Sequence, residues 1–291
     1  MITFFQAIII GILQGFTELF PISSLGHAIL IPSLLGWESV YNGSSVGASF
    51  YVSFAVLIHL ATTAALLVFY REEWIRIIKG FISSIKNRRI QNPHEKLAWF
   101  LVITTIPAGL IGLIFGQMLE PQFAKPMSAA IFLTINGLIL LLGDHLHRHR
   151  KRIDFSLETT AKNTANLDFK HAGIIGTSQV LALFAGISRS GVTMVGGLAS
   201  GLDEEDAARF SFLLSTPIIL AAGIYKLPDL LSSDLADSRP EMLAGGVAAA
   251  IAAYFSVKFL DRYFRTRTLR PFALYCLAFG IFMTVFEVLK H

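Results

Sequence analysis

The chain has 291 residues, of which 54% are hydrophobic and 15% are charged, and its mean hydropathy is +0.61. A soluble domain carries roughly a quarter charged residues, and several apolar runs here reach the roughly 17–25 residues that cross a bilayer. The net charge of +4 lies mainly between those runs, where membrane orientation explains it and nucleic-acid binding does not. The composition excludes a soluble protein and indicates a single integral membrane domain over residues 1–291.

The chain begins with two apolar segments separated by a polar break. Residues 2–19 are about long enough to span a membrane, whereas residues 24–35 are too short. Between them, Pro21 and the serines that follow favour a new helix, because proline suits the first helical turn and serine its cap. Two half-spans that meet at a polar break predict a re-entrant hairpin, which a membrane tolerates only when it is buried in protein or lines a wet cavity.

Six longer apolar segments and a second interrupted segment follow. The longer segments predict full membrane spans, at about residues 49–69, 97–117, 128–143, 207–225, 242–259 and 271–288. The interrupted segment, residues 171–201, lies between the third and fourth of these spans. We therefore expect an all-α polytopic membrane protein with six transmembrane helices and two re-entrant helical hairpins.

The distribution of charge supports this topology. Seventeen of the 24 basic residues lie in three loops, at residues 69–97, 144–170 and 260–270. By the positive-inside rule these loops are cytoplasmic, and the acidic loop 226–241 is outside. The loops alternate correctly only if both interrupted segments return to the side from which they started. We expect the acidic cluster Asp203–Asp206 to be a solvated helix start.

A shift of the sequence by 165 residues aligns the two interrupted segments. Five of the sixteen positions from Gly11 to Gly26 are then identical: Gly11 with Gly176, Gln14 with Gln179, Ile22 with Ile187, Ser23 with Ser188, and Gly26 with Gly191. Because the first hairpin starts outside and the second inside, we expect an inverted-topology repeat, in which the broken helices meet near the midplane and form the site. Repeat 1 covers about residues 1–143, repeat 2 about residues 171–291, and residues 144–170 form a cytoplasmic linker.

Gln14 and Glu18 lie four residues apart before the first break, so their side-chain oxygens share one helix face. A carboxylate and an amide oxygen suit Mg²⁺ or Ca²⁺, with water and a substrate phosphate completing the coordination. The alternative is that Glu18 is only hydrogen-bonded within the bundle, but an apolar helix rarely keeps a carboxylate for packing alone.

Ser24 and His27 lie three residues apart after the first break. If the helix resumes there, they are close enough to act as a hydroxyl nucleophile and a proton-transferring imidazole. The alternatives stay open: Ser23 and Ser24 only cap the helix, or His27 is a satisfied interior histidine. We expect His59, which is alone in an apolar span, to be structural.

The second break, Gly186–Thr193, has the features of an anion site. A glycine-flanked turn that opens a helix presents backbone N–H groups and the positive end of the helix dipole. Arg189 adds a fork of donors suited to phosphate oxygens, or else pairs with Glu18. The other substrate-binding candidates are Ser23, Gly186, Ser188, Ser190, Gly191 and Thr193. An anion clamp that faces a nucleophile and a carboxylate predicts phosphoryl chemistry on a lipid phosphate.

At these residues the sequence resembles the bacterial undecaprenyl-diphosphate phosphatase family of the BacA/UppP type. The first motif of that family is Glu or Gln, three residues, Glu, and then a serine pair and a histidine, and it is matched by Gln14, Glu18, Ser23, Ser24 and His27. The second motif, Pro-Gly-x-Ser-Arg-Ser-Gly-x-Thr, is matched by Gly186, Ser188, Arg189, Ser190, Gly191 and Thr193. The resemblance covers essentially the whole chain.

The resemblance implies hydrolysis of undecaprenyl diphosphate to undecaprenyl phosphate and inorganic phosphate, which recycles the carrier lipid for peptidoglycan synthesis. It also implies a divalent metal, bacitracin resistance on overproduction, and a multi-pass protein of the bacterial cytoplasmic (inner) membrane whose active site opens to the periplasm. In the family's terms Ser24 is the nucleophile, and Arg189 binds the diphosphate. Glu18 and His27 act in proton transfer and in metal or phosphate positioning. The expected partners are the isoprenoid lipid and the bilayer, with a homodimer as an option.

Three positions depart from the family pattern. Ala185 replaces the motif proline, Gln14 takes the uncharged option as a metal ligand, and Cys276 stands where a basic residue is expected. The alternative from another class of protein is a lipid-phosphate transporter or flippase, because inverted repeats are typical of alternating access. Such a transporter needs Arg189 and a cavity but no nucleophile.

Overall fold

A computed structural model describes residues 2–37, 45–119, 125–154, 167–230 and 232–290, and all regular structure in these ranges is helical. The α-helices are α1 (Phe4–Thr17), α2 (Ser24–Leu34), α3 (Ser45–Phe69), α4 (Arg71–Asn87), α5 (Pro93–Leu119), α6 (Pro126–Asp154), α7 (Phe169–Ser178), α8 (Arg189–Ala199), α9 (Glu204–Tyr225), α10 (Leu227–Leu230), α11 (Arg239–Tyr263) and α12 (Arg270–Lys290). Two 3₁₀ segments cover Gln179–Leu183 and Ser233–Ser238.

Six of the described helices, α3, α5, α6, α9, α11 and α12, are long and apolar enough to cross a membrane. They coincide with the six predicted spans, so the prediction of an all-α polytopic membrane protein is confirmed. Helix α6 continues past the predicted end of its span as far as Asp154, into the predicted linker. An ion pair between Asp144 and Arg148, 3.0 Å apart and one helical turn along, stabilises this extension. Residues 155–166 of the linker lie outside the described part of the chain.

The two predicted hairpins are pairs of short helices separated by a turn. In the first pair, Ser23 has φ 69°, and its Oγ caps α2 by accepting a hydrogen bond from the Gly26 N–H at 3.2 Å. In the second pair, Gly186 has φ 110°, and Ser188 caps α8 in the same way. A Cβ at Gly186 would lie 2.4 Å from the Ala129 carbonyl oxygen, so this turn requires glycine.

The first helix of each pair packs against a spanning helix from the other half of the chain. Helix α1 lies so close to α11 that a Cβ at Gly11 would be 2.1 Å from the Gly245 carbonyl oxygen. Helix α7 approaches α5 similarly, because a Cβ at Gly176 would be 2.9 Å from the Thr104 carbonyl oxygen. Gly11 and Gly176 are aligned by the predicted repeat, and they make corresponding contacts. The inverted topology of the repeat stays a prediction.

The three basic loops lie at the same end of the bundle, as the charge pattern predicts. Side-chain contacts connect them through the start of α9 and directly: Arg148 with Thr268 (3.2 Å), Arg209 with Glu73 (2.8 Å), Arg265 with Glu205 (3.6 Å), and Tyr70 with Asp261 (3.4 Å). Burial raises the pKa of Tyr70, and the Asp261 carboxylate raises it further. The hydroxyl therefore stays protonated and donates the hydrogen bond in this contact. We refer to this end as the basic end.

Each short helix pair begins and ends at one end of the bundle. Helix α7 starts at the basic end, where Phe169 packs edge-on against Phe100 with 5.1 Å between ring centroids. Helix α9, which follows the second pair, starts at the basic end as well. The first pair has the opposite orientation, because α2 ends beside the last turn of α12, where Ser33 donates a hydrogen bond to Glu287 at 2.5 Å. Its start lies at the same end, since Phe5 of α1 packs against Trp37 just after α2 with 6.3 Å between ring centroids. Re-entrant hairpins require such paths, and their depth in a membrane stays a prediction.

Candidate active site

The two helix breaks lie against each other. A Cβ at Gly26 would be 3.0 Å from the Cα of Gly186, so the backbones of the two turns are in contact. Ser190 at the start of α8 donates a hydrogen bond to the Phe20 carbonyl oxygen at 3.1 Å. The fold therefore brings the two sequence motifs together at one place.

Asn136 on α6 connects the two breaks through its side-chain amide. Its Nδ2 donates to the Pro21 carbonyl oxygen at 3.0 Å, and its Oδ1 accepts from the Ser188 N–H at 3.0 Å. The fully buried Cys276 lies next to this amide, with its Sγ 3.4 Å from Asn136 Nδ2. Asn136 is not among the predicted site residues, although an amide in the middle of an apolar span is itself a signal for a polar partner.

Glu18 is the centre of the site. Its Oε1 accepts a hydrogen bond from Arg189 Nη2 at 2.9 Å, so an ion pair joins the first break to the second. Its Oε2 accepts from Ser24 Oγ at 2.5 Å and from Gln14 Nε2 at 3.1 Å. The hydroxyl predicted as the nucleophile is therefore hydrogen-bonded to the carboxylate.

His59 on α3 also belongs to this cluster. Its Nε2 lies 3.2 Å from Glu18 Oε2, and its Nδ1 lies 2.7 Å from the Ala55 carbonyl oxygen. We expected a structural histidine, and the structure places it beside the carboxylate instead. A lone ionisable residue in an apolar span signals a buried partner, but spacing along the chain does not show that α3 faces the first break.

A cavity of about 510 Å³ lies beside the cluster. Its polar lining comes from the two breaks, α3 and the 3₁₀ segment: Glu18, Ser23, Ser24, His59, Gln179, Ser188 and Arg189. Much of the remaining wall is apolar and comes from α3 and α9, with Val52, Val56 and Ile219 among its residues. A pocket with one charged wall and apolar walls elsewhere suits a ligand that has an anionic head and an apolar tail.

His27 lies outside this cavity, and the structure does not bring it to Ser24. The ring is buried, with Nδ1 2.8 Å from the Ser23 carbonyl oxygen and Nε2 2.7 Å from the Tyr275 hydroxyl. A neutral imidazole satisfies both contacts, because the tyrosine hydroxyl can donate to the second nitrogen. Of the open alternatives, the arrangement favours the satisfied interior histidine.

The residues of the second motif divide between the cavity and the packing behind it. Arg189, the first residue of α8, turns its guanidinium to Glu18 and to the Ser211 carbonyl oxygen, 3.4 Å from Nη1. Thr193 faces away from the cavity, with its hydroxyl 2.6 Å from Ser211 Oγ. Gly191 lies under α6, where a Cβ would be 3.1 Å from the Leu140 side chain. Arg189 therefore carries the charge that this motif presents to a ligand.

The side chains that donate hydrogen bonds to Glu18 occupy the oxygens that a resident divalent ion would need. Both carboxylate oxygens accept hydrogen bonds, one of them from a guanidinium, which competes with a metal for the same oxygens. Within the described ranges, no group of three or more His, Cys, Asp or Glu side chains could hold a metal. Gln14 Oε1, which is buried and has no hydrogen-bond partner in the described part of the chain, is the one oxygen of the predicted pair left for an ion.

The fold and the site define a polytopic membrane protein with a cavity, lined by an ion pair, where two pairs of short helices meet. The family model described as "Bacitracin resistance protein BacA" matches residues 7–282. The chain belongs to this family.

Several curated proteins are similar to the chain over nearly its whole length. Undecaprenyl-diphosphatase from Mycolicibacterium paratuberculosis is 46% identical, over 96% of this chain and 95% of its own length. Undecaprenyl-diphosphatase 2 from Frankia alni is 44% identical over 98% of both chains. Undecaprenyl-diphosphatase 2 from Burkholderia thailandensis is 44% identical over 94% of both chains.

Proposed function

We propose that this protein hydrolyses undecaprenyl diphosphate to undecaprenyl phosphate and inorganic phosphate. The observation that carries the proposal is the 2.5 Å hydrogen bond from Ser24 Oγ to Glu18 Oε2 in the cavity wall, beside the Arg189 guanidinium. Phosphoryl transfer to a hydroxyl needs a base on the nucleophile and a cation on the phosphate oxygens. The names of the relatives supply the substrate.

In this mechanism Ser24 attacks the terminal phosphorus while Glu18 accepts its proton. Arg189 and the N–H groups at the start of α8 bind the phosphate oxygens, and they stabilise the charge that develops there in the transition state. The lipid phosphate leaves, and water hydrolyses the phosphoserine to release inorganic phosphate. The apolar wall from α3 and α9 holds the isoprenoid chain next to the diphosphate.

His27 serves as a positioning residue in this proposal. Its ring stacks on Tyr275 and Phe279, with centroid distances of 5.6 and 5.3 Å, and contacts the Ser23 carbonyl oxygen. These contacts fix the first turn of α2 against α12. They therefore hold Ser24, the first residue of α2, within hydrogen-bond distance of the Glu18 carboxylate.

We further propose that the site opens to the periplasm from the cytoplasmic membrane of a bacterium. The cavity is lined by Tyr51 near the start of α3 and by Gly223 near the end of α9, and both lie toward the end opposite the basic loops. The positive-inside rule assigns the basic end to the cytoplasm. The paths of the short helix pairs support re-entrant hairpins within an inverted repeat. A homodimer stays a prediction.

A divalent ion enters this proposal only together with the substrate. Mg²⁺ is usually bound through one or two carboxylates plus water and substrate phosphates. The diphosphate and water would then supply its ligands, and of the predicted protein pair only Gln14 Oε1 is left without a hydrogen bond in the described part of the chain.

Phosphate release by the purified protein from a C55 or C15 isoprenoid diphosphate tests the proposed function. We expect release by the wild type and none above background from Ser24→Ala, because the nucleophile is lost. Ser256→Ala is the matched control, since this buried serine donates only within α11, to the Ala252 carbonyl oxygen at 2.8 Å, and it should keep its activity. A transporter, the alternative class, would bind the diphosphate without releasing phosphate, and that result would contradict the proposal.

A further inference from the structure

We propose that His59 is the general acid of this reaction and protonates the departing lipid phosphate. The inference rests on the proposed phosphatase function. It assigns a catalytic role to a residue that lies outside both sequence motifs, on a helix that the motifs do not include.

The first observation is that both ring nitrogens of His59 face hydrogen-bond acceptors. Nδ1 lies 2.7 Å from the carbonyl oxygen of Ala55, which can only accept. Nε2 lies 3.2 Å from Glu18 Oε2, the oxygen of an ion-paired carboxylate. A neutral imidazole has one N–H and cannot donate to both, whereas an imidazolium donates to both. The contacts therefore select the protonated ring, which is the form that a general acid requires.

The second observation is the position of His59 relative to the cavity. Its side chain is 26% exposed, compared with 6% for Glu18 and 15% for Arg189. Among the described residues, the charged groups that face it are Glu18 and Arg189, and the nearby Tyr51 hydroxyl is committed to the Ala28 carbonyl oxygen at 3.1 Å. His59 is thus the most exposed side chain of the ion cluster and lies at the wall where a substrate would bind.

With Ser24, Glu18 and His59 in these roles, the bonds and protons balance in both half-reactions. In the first, the Ser24 Oγ–phosphorus bond forms and the bond from phosphorus to the bridging oxygen breaks. Glu18 receives the serine proton, and His59 Nε2 gives its proton to the bridging oxygen of the lipid phosphate. In the second, water attacks the phosphoserine and gives a proton to His59, while Glu18 returns its proton to Ser24 Oγ. Both residues end in their starting forms.

The central experiment compares kcat and KM of His59→Gln with those of the wild type over a range of pH. General acid–base groups contribute typically 10²–10⁴-fold, so we expect kcat to fall by at least about 100-fold with KM changed less than tenfold. The alkaline decline of wild-type kcat, where the imidazolium loses its proton, should be missing in the variant. The matched control is His145→Gln, an exposed histidine of α6 near the basic end, which should keep the wild-type profile.

A second variant separates proton transfer from loss of structure. His59→Ala leaves space beside Glu18 at the cavity wall, so added imidazole should restore part of kcat, and the restored rate should rise with the imidazolium fraction. If His59→Gln keeps kcat and its alkaline decline, or raises only KM, the general-acid role is wrong even though wild-type phosphate release would still support the proposed function. Absence of imidazole rescue in a folded His59→Ala protein would also overturn it.

Discussion

Asn136 accepts a hydrogen bond from the Ser188 N–H at 3.0 Å and so attaches α6 to the second helix break. The same amide donates to the Pro21 carbonyl oxygen in the first break, also at 3.0 Å. The relative position of Ser24 and Arg189 therefore depends on a side chain that lines no part of the cavity.

We expect Asn136→Ala to lower both the thermal stability and the phosphate release. The change leaves the Ser188 N–H buried without a partner, which costs about 1–3 kcal/mol, and leaves the Pro21 carbonyl with only the weak Cys276 thiol donor at 3.9 Å. Melting in detergent and phosphate release measure the two effects. Thr134→Ala on the same helix is the control, since this hydroxyl donates only to its own helix, to the Ala130 carbonyl oxygen at 3.0 Å. Equal melting temperatures for Asn136→Ala and the wild type would contradict the role given to this amide.

Arg189→Lys keeps the positive charge but loses the planar fork of donors. We expect at least a tenfold lower kcat/KM, because one ammonium cannot contact Glu18 and two phosphate oxygens in the same geometry. Steady-state kinetics on the C15 diphosphate measure the change. The control is Arg209→Lys, an exposed arginine 2.8 Å from Glu73 at the basic end, where an ion pair is worth about 0–1 kcal/mol. Similar losses in both variants would mean that the fork of Arg189 has no special role.

Gly11→Ala should destabilise the packing of α1 on α11. Its Cβ would lie 2.1 Å from the Gly245 carbonyl oxygen, so the two helices must separate, and overpacking of this kind costs about 1–3 kcal/mol. Gly173→Ala in α7 is the matched control, because its Cβ would meet nothing within 4 Å. Thermal unfolding in detergent should show a lower midpoint for the first variant only. A lower midpoint for both would point to a general effect of losing helix glycines.

Cysteine labelling in spheroplasts tests the orientation. The native Cys276 is fully buried, so an impermeant maleimide should report introduced cysteines alone. We expect Asp229→Cys, in the acidic loop, to react from outside, and Arg267→Cys, in a basic loop, to react only after lysis, because basic loops are retained in the cytoplasm. The reverse pattern would place the site opening in the cytoplasm.

The spans and the core of the site could be predicted because hydropathy and buried charge are local signals. Six apolar runs identified the spanning helices, and Glu18, Ser24 and Arg189 stood out as polar residues at breaks in apolar sequence. Those three residues meet at the cavity. The length of α6 was underestimated, because hydropathy marks the polar sequence after Gly143 as a loop although the helix continues through it to Asp154, with the Asp144–Arg148 pair on one face.

The parts that could not be predicted depend on packing between distant elements. Spacing placed His27 on the same helix face as Ser24, but the imidazole instead contacts the Ser23 carbonyl oxygen and the Tyr275 hydroxyl of α12. The contacts of His59 and Asn136 depend on which helices face the breaks. No spacing rule within one segment contains that information.

The Glu18–Arg189 ion pair also has a consequence for selectivity. An unpaired guanidinium in a membrane protein would attract phosphodiester headgroups, each singly charged and far more abundant than any carrier lipid. Glu18 occupies Arg189 as a built-in counter-anion at 2.9 Å, so a singly charged headgroup gains little by replacing it. A multiply charged diphosphate gains more, because it can compete for the guanidinium and the helix start together. In the proposed mechanism, the carboxylate that accepts the serine proton would therefore also disfavour ordinary phospholipid at Arg189.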